Sequence, residues 1–420
     1  MATSASTQVR EGWQELPLIE CTSDRQISYG VVQPGFPVTD GVPIVRVNNL
    51  VNGRIITHDA MRIAPEIDYT HRRTKLRGGE IVISLVGTTG SVAIVPDELT
   101  GWNVARAIAV IRPDEKIGAS WLKLCLESSH TREYLDARAN TTVQKTLNLK
   151  DVKQLPIPLP PPHWRQEILS LVSPIENAIT NLEDQNRSLE ATAQTIFKSW
   201  FVDFDPVRAK AEGREPDGMD ADTAALFPCE FEETPLGSVP CGWGVVNLGE
   251  LAEFAYGKPL KAENRNGGTV PVMGSNGRVG WHDEALVLGP GIVVGRKGNP
   301  GTVTWVDSDF FPIDTTFFVR PRNLARGLHI LKNQLDLLNL PDLSADSAVP
   351  GLNREMAYQT KLANPPKFIA NLFEDIVGPL AAKAAQNEGL VATLAELRDT
   401  LLPRLISGKL RVPEIRRKLC

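Results

Sequence analysis

The chain has 420 residues, a formal net charge of −5 and 42% hydrophobic residues. That length accommodates two or three domains. No apolar run reaches a membrane span, and the mild acidity argues against a protein that wraps nucleic acid unaided. Five cysteines with none two or four apart suggest neither a disulfide framework nor a cysteine zinc site. The opening MATSASTQVREGWQELP has no apolar signal core, so a cytoplasmic protein without a membrane role is expected.

In chain order, GWQELPLIE and β-like stretches such as VPIVRVNNLVNG (42–53) lead into a basic segment. Residues 54–77 hold six basic and three acidic residues, plus His58 and His71. Residues 78–95, GGEIVISLVGTTGSVAIV, then read as strand, G-x-x-G turn, strand. The stretch IGASWLKLCLESSHTREYLDAR reads as helix, followed by a polar loop, TTVQKTLN (141–148), and PIPLPPP (156–162). These make a first module over 1–160.

A long helix is expected over 161–203. Ile168, Ile175, Leu182, Leu189 and Ile196 recur every seven residues, and so do Val172, Ile179, Asn186, Ala193 and Trp200. That is a seam needing a partner helix. Residues 203–233 then carry ten acidic and three basic residues, so 204–235 reads as a flexible acidic connector.

The second module, 236–364, repeats the first. GWGVVNLGELAEF opens it, and GPGIVVGRKGNPGTVTWV (289–306) matches 78–95 at seven of eighteen positions. The matches include Gly87/Gly298 and Gly90/Gly301. A helical LARGLHILKNQLDLLN, a polar SAVPGLN (347–353) and NPP (364–366) complete the echo. A second long helix is expected over 365–410, with a seam of Phe373, Leu380, Asn387, Leu394 and Leu401. Its expected companions are Ile376, Lys383, Leu390, Leu397 and Arg404, and Pro174 and Pro379 should kink or restart the helices. A helix of this length spans roughly 57 Å. Antiparallel packing of two would set the modules at opposite ends of a rod, with Asn186 and Asn387 fixing register. The fold class is therefore mixed α/β (α+β): two similar globular domains and two long antiparallel helices in an intramolecular coiled coil, a pseudo-twofold repeat.

A two-headed spacer suits a target with two short sites and a fixed gap, as DNA can offer. Polar residues on turns and strand edges are the contact candidates. In the first module these are Arg46, Asn48, Asn49, Arg54, Arg72, Arg73, Lys75, Arg77, Thr88, Thr89 and Arg106. In the second they are Lys258, Lys261, Asn264, Arg265, Asn276, Arg278, Arg296, Lys297 and Asn299. Arg and Lys suit guanine edges and Asn suits adenine, and the same side chains suit phosphates. The 72–77 run equally reads as a solvated face, and Gly87–Gly90 as a plain hairpin turn. Asn148 and Asn353 read better as residues closing each module by hydrogen bonds.

Catalytic patterns are missing. VGTTG lacks the lysine of a phosphate loop, and no G-x-G-x-x-G, H-E-x-x-H or G-x-S-x-G occurs. Asp307, Asp309 and Asp314 offer a loose metal-nuclease alternative, with turn or strand-end roles as the plainer reading. His282-Asp283 lacks a nucleophile.

Several stretches resemble the specificity subunit of type I restriction–modification enzymes. They are KQLPIPLPPPHWRQEI (153–168), IFKSWFVDFDPVRAK (196–210), TLLPRLISGKLRV (400–412) and the second module from YGKPLKAENRNGG through GRKGNPGTV. In that last region the turns at Gly257-Lys258, Ser275-Asn276-Gly277 and Arg296-Lys297 fit the pattern of a target-recognition domain. The resemblance implies a non-catalytic, DNA-binding subunit of a DNA methylation complex. It would read bipartite double-stranded DNA, one half per domain, with the helices setting the gap. They would also dock two modification (adenine-N6 methyltransferase) subunits. Restriction (translocase/nuclease) subunits join in such systems. No cofactor is implied in this chain; S-adenosylmethionine belongs to the modification partner, ATP and Mg to the restriction partner. The rival from a different class is a two-headed coiled-coil adaptor binding proteins.

Overall fold

A computed structural model describes residues 12–138, 140–141, 145–265, 267–322, 327–345 and 351–412. Cys420 and parts of the two polar loops named above, 142–144 and 347–350, lie outside the described residues. The chain divides into two units: Met1–Thr180 with Val391–Cys420, and Asn181–Leu390. Both long helices, Pro162–Phe201 and Lys367–Ile406, cross these divisions. Each unit thus holds one module and half of each helix, a division that cuts the helices rather than following their ends.

In the first unit, a four-stranded antiparallel sheet runs Thr22–Tyr29, Ile108–Pro113, Ile81–Ser84, Val92–Ile94. A smaller mixed sheet runs Met61–Ile63, Val42–Val45, Asn103–Val104, its last pair parallel. The second unit repeats both. Its large sheet runs Ala252–Tyr256, Thr316–Pro321, Gly291–Gly295, Val303–Val306. Its small one runs Gly277–His282, Val270–Gly274, Phe311–Pro312, again ending in a parallel pair.

The repeat extends to single hydrogen bonds. Gly90 N–H donates to Ser84 O at 2.9 Å, and Gly301 N–H to Gly295 O at 2.8 Å. Ser84 N–H reaches Ser91 O at 2.9 Å, and Gly295 N–H reaches Thr302 O at 2.8 Å. Gly87 and Gly298 have φ of +78° and +84°, Gly90 and Gly301 +83° and +82°. This left-handed geometry explains why glycine stands at both places in both turns.

The buried side of the first sheet packs on the helix Ala119–Glu127 and on both long helices. Ile81, Ile83, Trp121, Leu122, Ile168, Val172, Leu402 and Leu405 share one core. Trp121 is fully buried and its indole N–H donates to Pro158 O at 3.0 Å, so the large ring is covered without stranding its donor. In the second unit, Phe254, Ile292, Val294, Phe317 and Leu335 form the matching core.

Within the second unit the long helices run antiparallel, Phe197 against Phe373 and Asn186 against Ala384 and Asn387. In the second helix the apolar face follows Phe373, Val377, Leu380, Ala384 and Asn387, alternating steps of four and three. The companions therefore lie one position beyond those expected. Lys383, Leu390, Leu397 and Arg404 are exposed, whereas Val377 and Leu405 are buried. The corrected companions follow the first helix, because Val172, Ile179 and Trp200 plus 205 give Val377, Ala384 and Leu405. Nor do the prolines restart either helix, which is continuous for 40 residues in each case. Pro174 and Pro379 stand on exposed faces, as do Ser170 and Asp375 four residues before them. The carbonyls each proline leaves unbonded are on the solvent side.

The segment expected as a flexible connector is ordered. It contains helices Asp205–Ala211 and Ala221–Ala225 and a hairpin of Phe231–Thr234 with Gly237–Pro240. Phe204, Val207 and Phe227 join Phe197, Trp200, Phe201, Trp243 and Phe373 in a buried cluster. Edge-to-face contacts such as Phe201–Phe373 (5.2 Å) and Phe204–Trp243 (5.5 Å) fasten the segment to the helix ends. Lys210 Nζ also donates to the carbonyls of Ala224, at 2.9 Å, and Phe227.

Candidate nucleic-acid interface

In the first module the basic run 72–77 is a shaped loop. Arg112 Nη2 donates to Arg73 O at 2.9 Å and to Lys75 O at 3.3 Å, clamping the backbone from behind. Arg72, Arg73 and Arg77 point outward and are exposed, and Arg72 lies 5.6 Å from the ring centre of Tyr69. Lys75 is turned inward and pairs with the buried Asp68 at 2.7 Å. Asp68 also accepts from Asn103 Nδ2 at 2.9 Å, and Thr74 donates to Asn103 Oδ1 at 2.8 Å.

Asn48, Thr88 and Arg106 are exposed; Arg54 and Thr89 are half-buried. Asn49 has a different place. It is only 4% exposed, and its Oδ1 accepts the Arg46 N–H at 2.9 Å to cap a turn. Arg46 in turn donates from Nη2 to Asp59 O at 3.2 Å.

The second module brings its candidates closer together. Asn299 Nδ2 donates to Asn276 Oδ1 at 2.6 Å, joining the 275–277 and 296–301 turns into one polar edge. Arg278 lies 4.5 Å from the Trp281 ring centre. Arg296 and Arg354 lie 5.0 and 5.2 Å from the ring centre of Tyr256. Arg296 also donates to Asp314 O at 2.9 Å, which fixes its guanidinium. Lys258, Lys261, Asn264 and Lys297 are exposed, Lys261 3.5 Å from Glu263. Arg265 is half-buried and bonded to Leu260 O at 2.9 Å.

Sequence reading passed over Arg112, Arg354, Tyr69, Tyr256 and Trp281. Exposed aromatics beside guanidinium groups offer stacking faces for bases or sugars. Nothing local in the sequence distinguishes such a ring from a core ring. Asn353, expected to close its module by hydrogen bonds, instead caps the short helix Arg354–Gln359: its side chain accepts the Met356 N–H at 3.2 Å. Asn148 caps its short helix with no side-chain bond.

The aspartates of the nuclease alternative have separate duties. Asp307 accepts the Trp305 indole N–H at 2.7 Å, and Asp309 accepts the Gly289 N–H at 2.8 Å. Asp314 lends its carbonyl to Arg296. Among the described residues, no group of three or more His, Cys, Asp and Glu is placed to hold a metal ion. The buried thiols are poor nucleophiles: burial pushes Cys21 up to about 12 and Cys125 higher. Among the described residues no helix is long and apolar enough to cross a membrane.

A mixed α/β module, built twice, presents arginine, lysine and asparagine at its edges, the residue types that contact nucleic acid. Residues 38–191 match the family model "Type I restriction modification DNA specificity domain". The HindI specificity subunit of Haemophilus influenzae is 26% identical over 406 residues, covering 80% of this chain and 87% of that one. The EcoBI specificity subunit of Escherichia coli is 32% identical over 193 residues, 46% of this chain and 40% of that one. The crystal structure of a type I restriction-modification S subunit from M. genitalium shares the fold. It has a TM-score of 0.55 at 17% identity, covering 96% of this chain and 98% of that one. Residues 38–191 thus carry the pattern of a type I specificity domain, and over 80% of its length the chain is similar to a type I specificity subunit.

Proposed function

We propose that this chain reads a bipartite double-stranded DNA sequence, one half by each module, without catalysing a reaction itself. The observation that carries this reading is the repetition of one strand order and one glycine turn, down to matching backbone hydrogen bonds within the turn, each copy edged by exposed basic and amide side chains. Arg72, Arg73, Arg77, Thr88 and Arg106 serve the first half; Lys258, Asn276, Arg278, Arg296, Lys297 and Asn299 serve the second. Arg54, Lys261, Asn264 and Arg265 flank these sets. Asn49, Arg46 and Lys75 shape the surface from within.

The long helices dock two modification subunits, whose bound S-adenosylmethionine supplies the methyl group for adenine. Restriction subunits with ATP and Mg attach to that complex. Basic surfaces on the partners offset the chain's net charge of −5.

The test is methylation mapping of DNA from cells carrying the chain with its modification partner. A two-part motif with a constant gap is expected, and replacing one module should change one half only. A single continuous motif, or both halves changing together, overturns the reading.

A further inference from the structure

The two units differ at one matching place. In the first unit, the helix Ala119–Glu127 meets the long helices through a filled charge network. Lys123 Nζ lies 2.6 Å from Glu127 and 3.6 Å from Glu176. Arg398 Nη1 lies 3.9 Å from Glu176 and completes it.

In the second unit the counterpart helix is Leu328–Leu337. Both helices start at a left-handed glycine, Gly118 or Gly327, with φ of +84° and +77°. Lys332 pairs with Asp336 at 2.8 Å, as Lys123 does with Glu127. Among the described residues the rest of the network is missing. The same 205-residue offset places Ala381 where Glu176 stands, and Arg398 where Ala193 stands. Both alanines line a cavity of about 220 Å³ instead.

One wall is Trp305, stacked on His329 with centroids 4.3 Å apart. Glu190, Asp307 and Glu388 also line it, and among the described residues none of the three forms an ion pair. Lys332 is the cation at its edge and is engaged by Asp336. Burial raises the Glu388 carboxyl above its ordinary value, and the Asp307 and Glu190 charges add to the rise. The cavity combines excess negative charge with an aromatic face.

We propose that this cavity receives an arginine side chain from a protein partner, which supplies from outside the cation that Arg398 supplies within the first unit. A planar guanidinium can stack on Trp305 while donating to several carboxylates; a lysine ammonium cannot do both as well. The proposal rests on the functional reading above, which makes that partner the modification subunit at the second unit. It makes the two docking places chemically unequal although the scaffold is repeated.

The test titrates the full chain with its cognate modification subunit and follows complex size by sedimentation. In one variant, A193R/A381E, the first unit's pair is rebuilt inside the cavity. In another, E190Q/E388Q, charge is removed and volume kept. Both should weaken one of the two binding steps roughly tenfold or more and make that step less salt-sensitive. If A193R/A381E shifts the thermal transition, E190Q/E388Q decides. Undiminished binding of both copies to a folded variant overturns the proposal. If the wild-type complex also methylates a two-part motif, the functional reading survives that loss. If the wild type methylates none, the functional reading fails.

Discussion

Replacing Asn387 with leucine should stabilise the protein. Asn387 is fully buried in the seam of the second long helix. Its Nδ2 donates to Asn186 Oδ1 at 2.9 Å and, over a longer 3.4 Å, to Gln185 Oε1, while its own Oδ1 is buried without a partner. The substitution forfeits both hydrogen bonds, about 1–2 kcal/mol together, and removes an unsatisfied acceptor that costs about 1–3 kcal/mol. Burying leucine adds about 1.5–3 kcal/mol, offset by about 1–3 kcal/mol for fitting a branched side chain into a packed seam. Asn186 keeps its bond to Ala384 O at 3.1 Å and, being half-buried, can offer its freed oxygen to water. The balance is a gain of about 1 kcal/mol. Urea denaturation followed by far-UV circular dichroism should show a higher midpoint for Asn387→Leu. Asn387→Ala, which loses both bonds and leaves a void, should show a lower one. A midpoint for Asn387→Leu below that of the wild type would refute the reasoning, since it would mean that the asparagine is fully satisfied in place.

Three further outcomes follow from the geometry. Gly301→Ala should destabilise by about 3 kcal/mol or more, since its new Cβ would meet Pro341 N at 2.4 Å; Gly87→Ala, with nothing within 4 Å, should cost only about 1–2 kcal/mol for its left-handed backbone. Equal losses in thermal melts would remove the distinction. Lys75→Gln should lower stability by about 1–3 kcal/mol because Asp68 is left buried and unpaired, whereas Arg77→Gln should leave stability within about 0.5 kcal/mol. Arg77→Gln should also weaken DNA binding and lower its salt slope by about one; an unchanged slope excludes Arg77 as a phosphate contact. Finally, burial holds His329 below its ordinary 6.5, outweighing the pull of Asp307. The unfolded chain takes up this proton first, so the stability it contributes is complete above pH 6.5. It is lost as pH falls from there toward the lower folded value. His329→Gln should flatten that part of the stability–pH curve, and an unaltered curve would assign the slope elsewhere.

The large-scale repeat was legible because glycine turns and seven-residue spacing leave marks in one dimension. Gly87, Gly90, Gly298 and Gly301 are informative since left-handed backbone selects glycine. The companion seam was ambiguous: Ile376 and Val377 are both apolar, and only burial shows that Val377 is the inward residue. The connector misled through its acids, although Phe204, Val207 and Phe227 already carried the signal of a packed segment. At the interface, residue type gave candidates and not direction. Arg77 and Lys75 stand two apart in one basic run, yet one faces solvent and the other a buried carboxylate. Arg112 is remote in sequence from the loop it clamps, so no local pattern could reveal it.

The way each module begins and ends has a consequence for inheritance. Gln14–Pro17 lies against Pro156–Leu159, and Gly244–Asn247 against Lys361–Asn364, each an antiparallel ladder of four residue pairs. Entry and exit are neighbours, so everything between them is a cassette that recombination can lift out at one short seam. A new cassette need only bring its own closing ladder to inherit the rest of the chain unaltered, and new specificities can spread by exchange of gene segments instead of by gradual substitution.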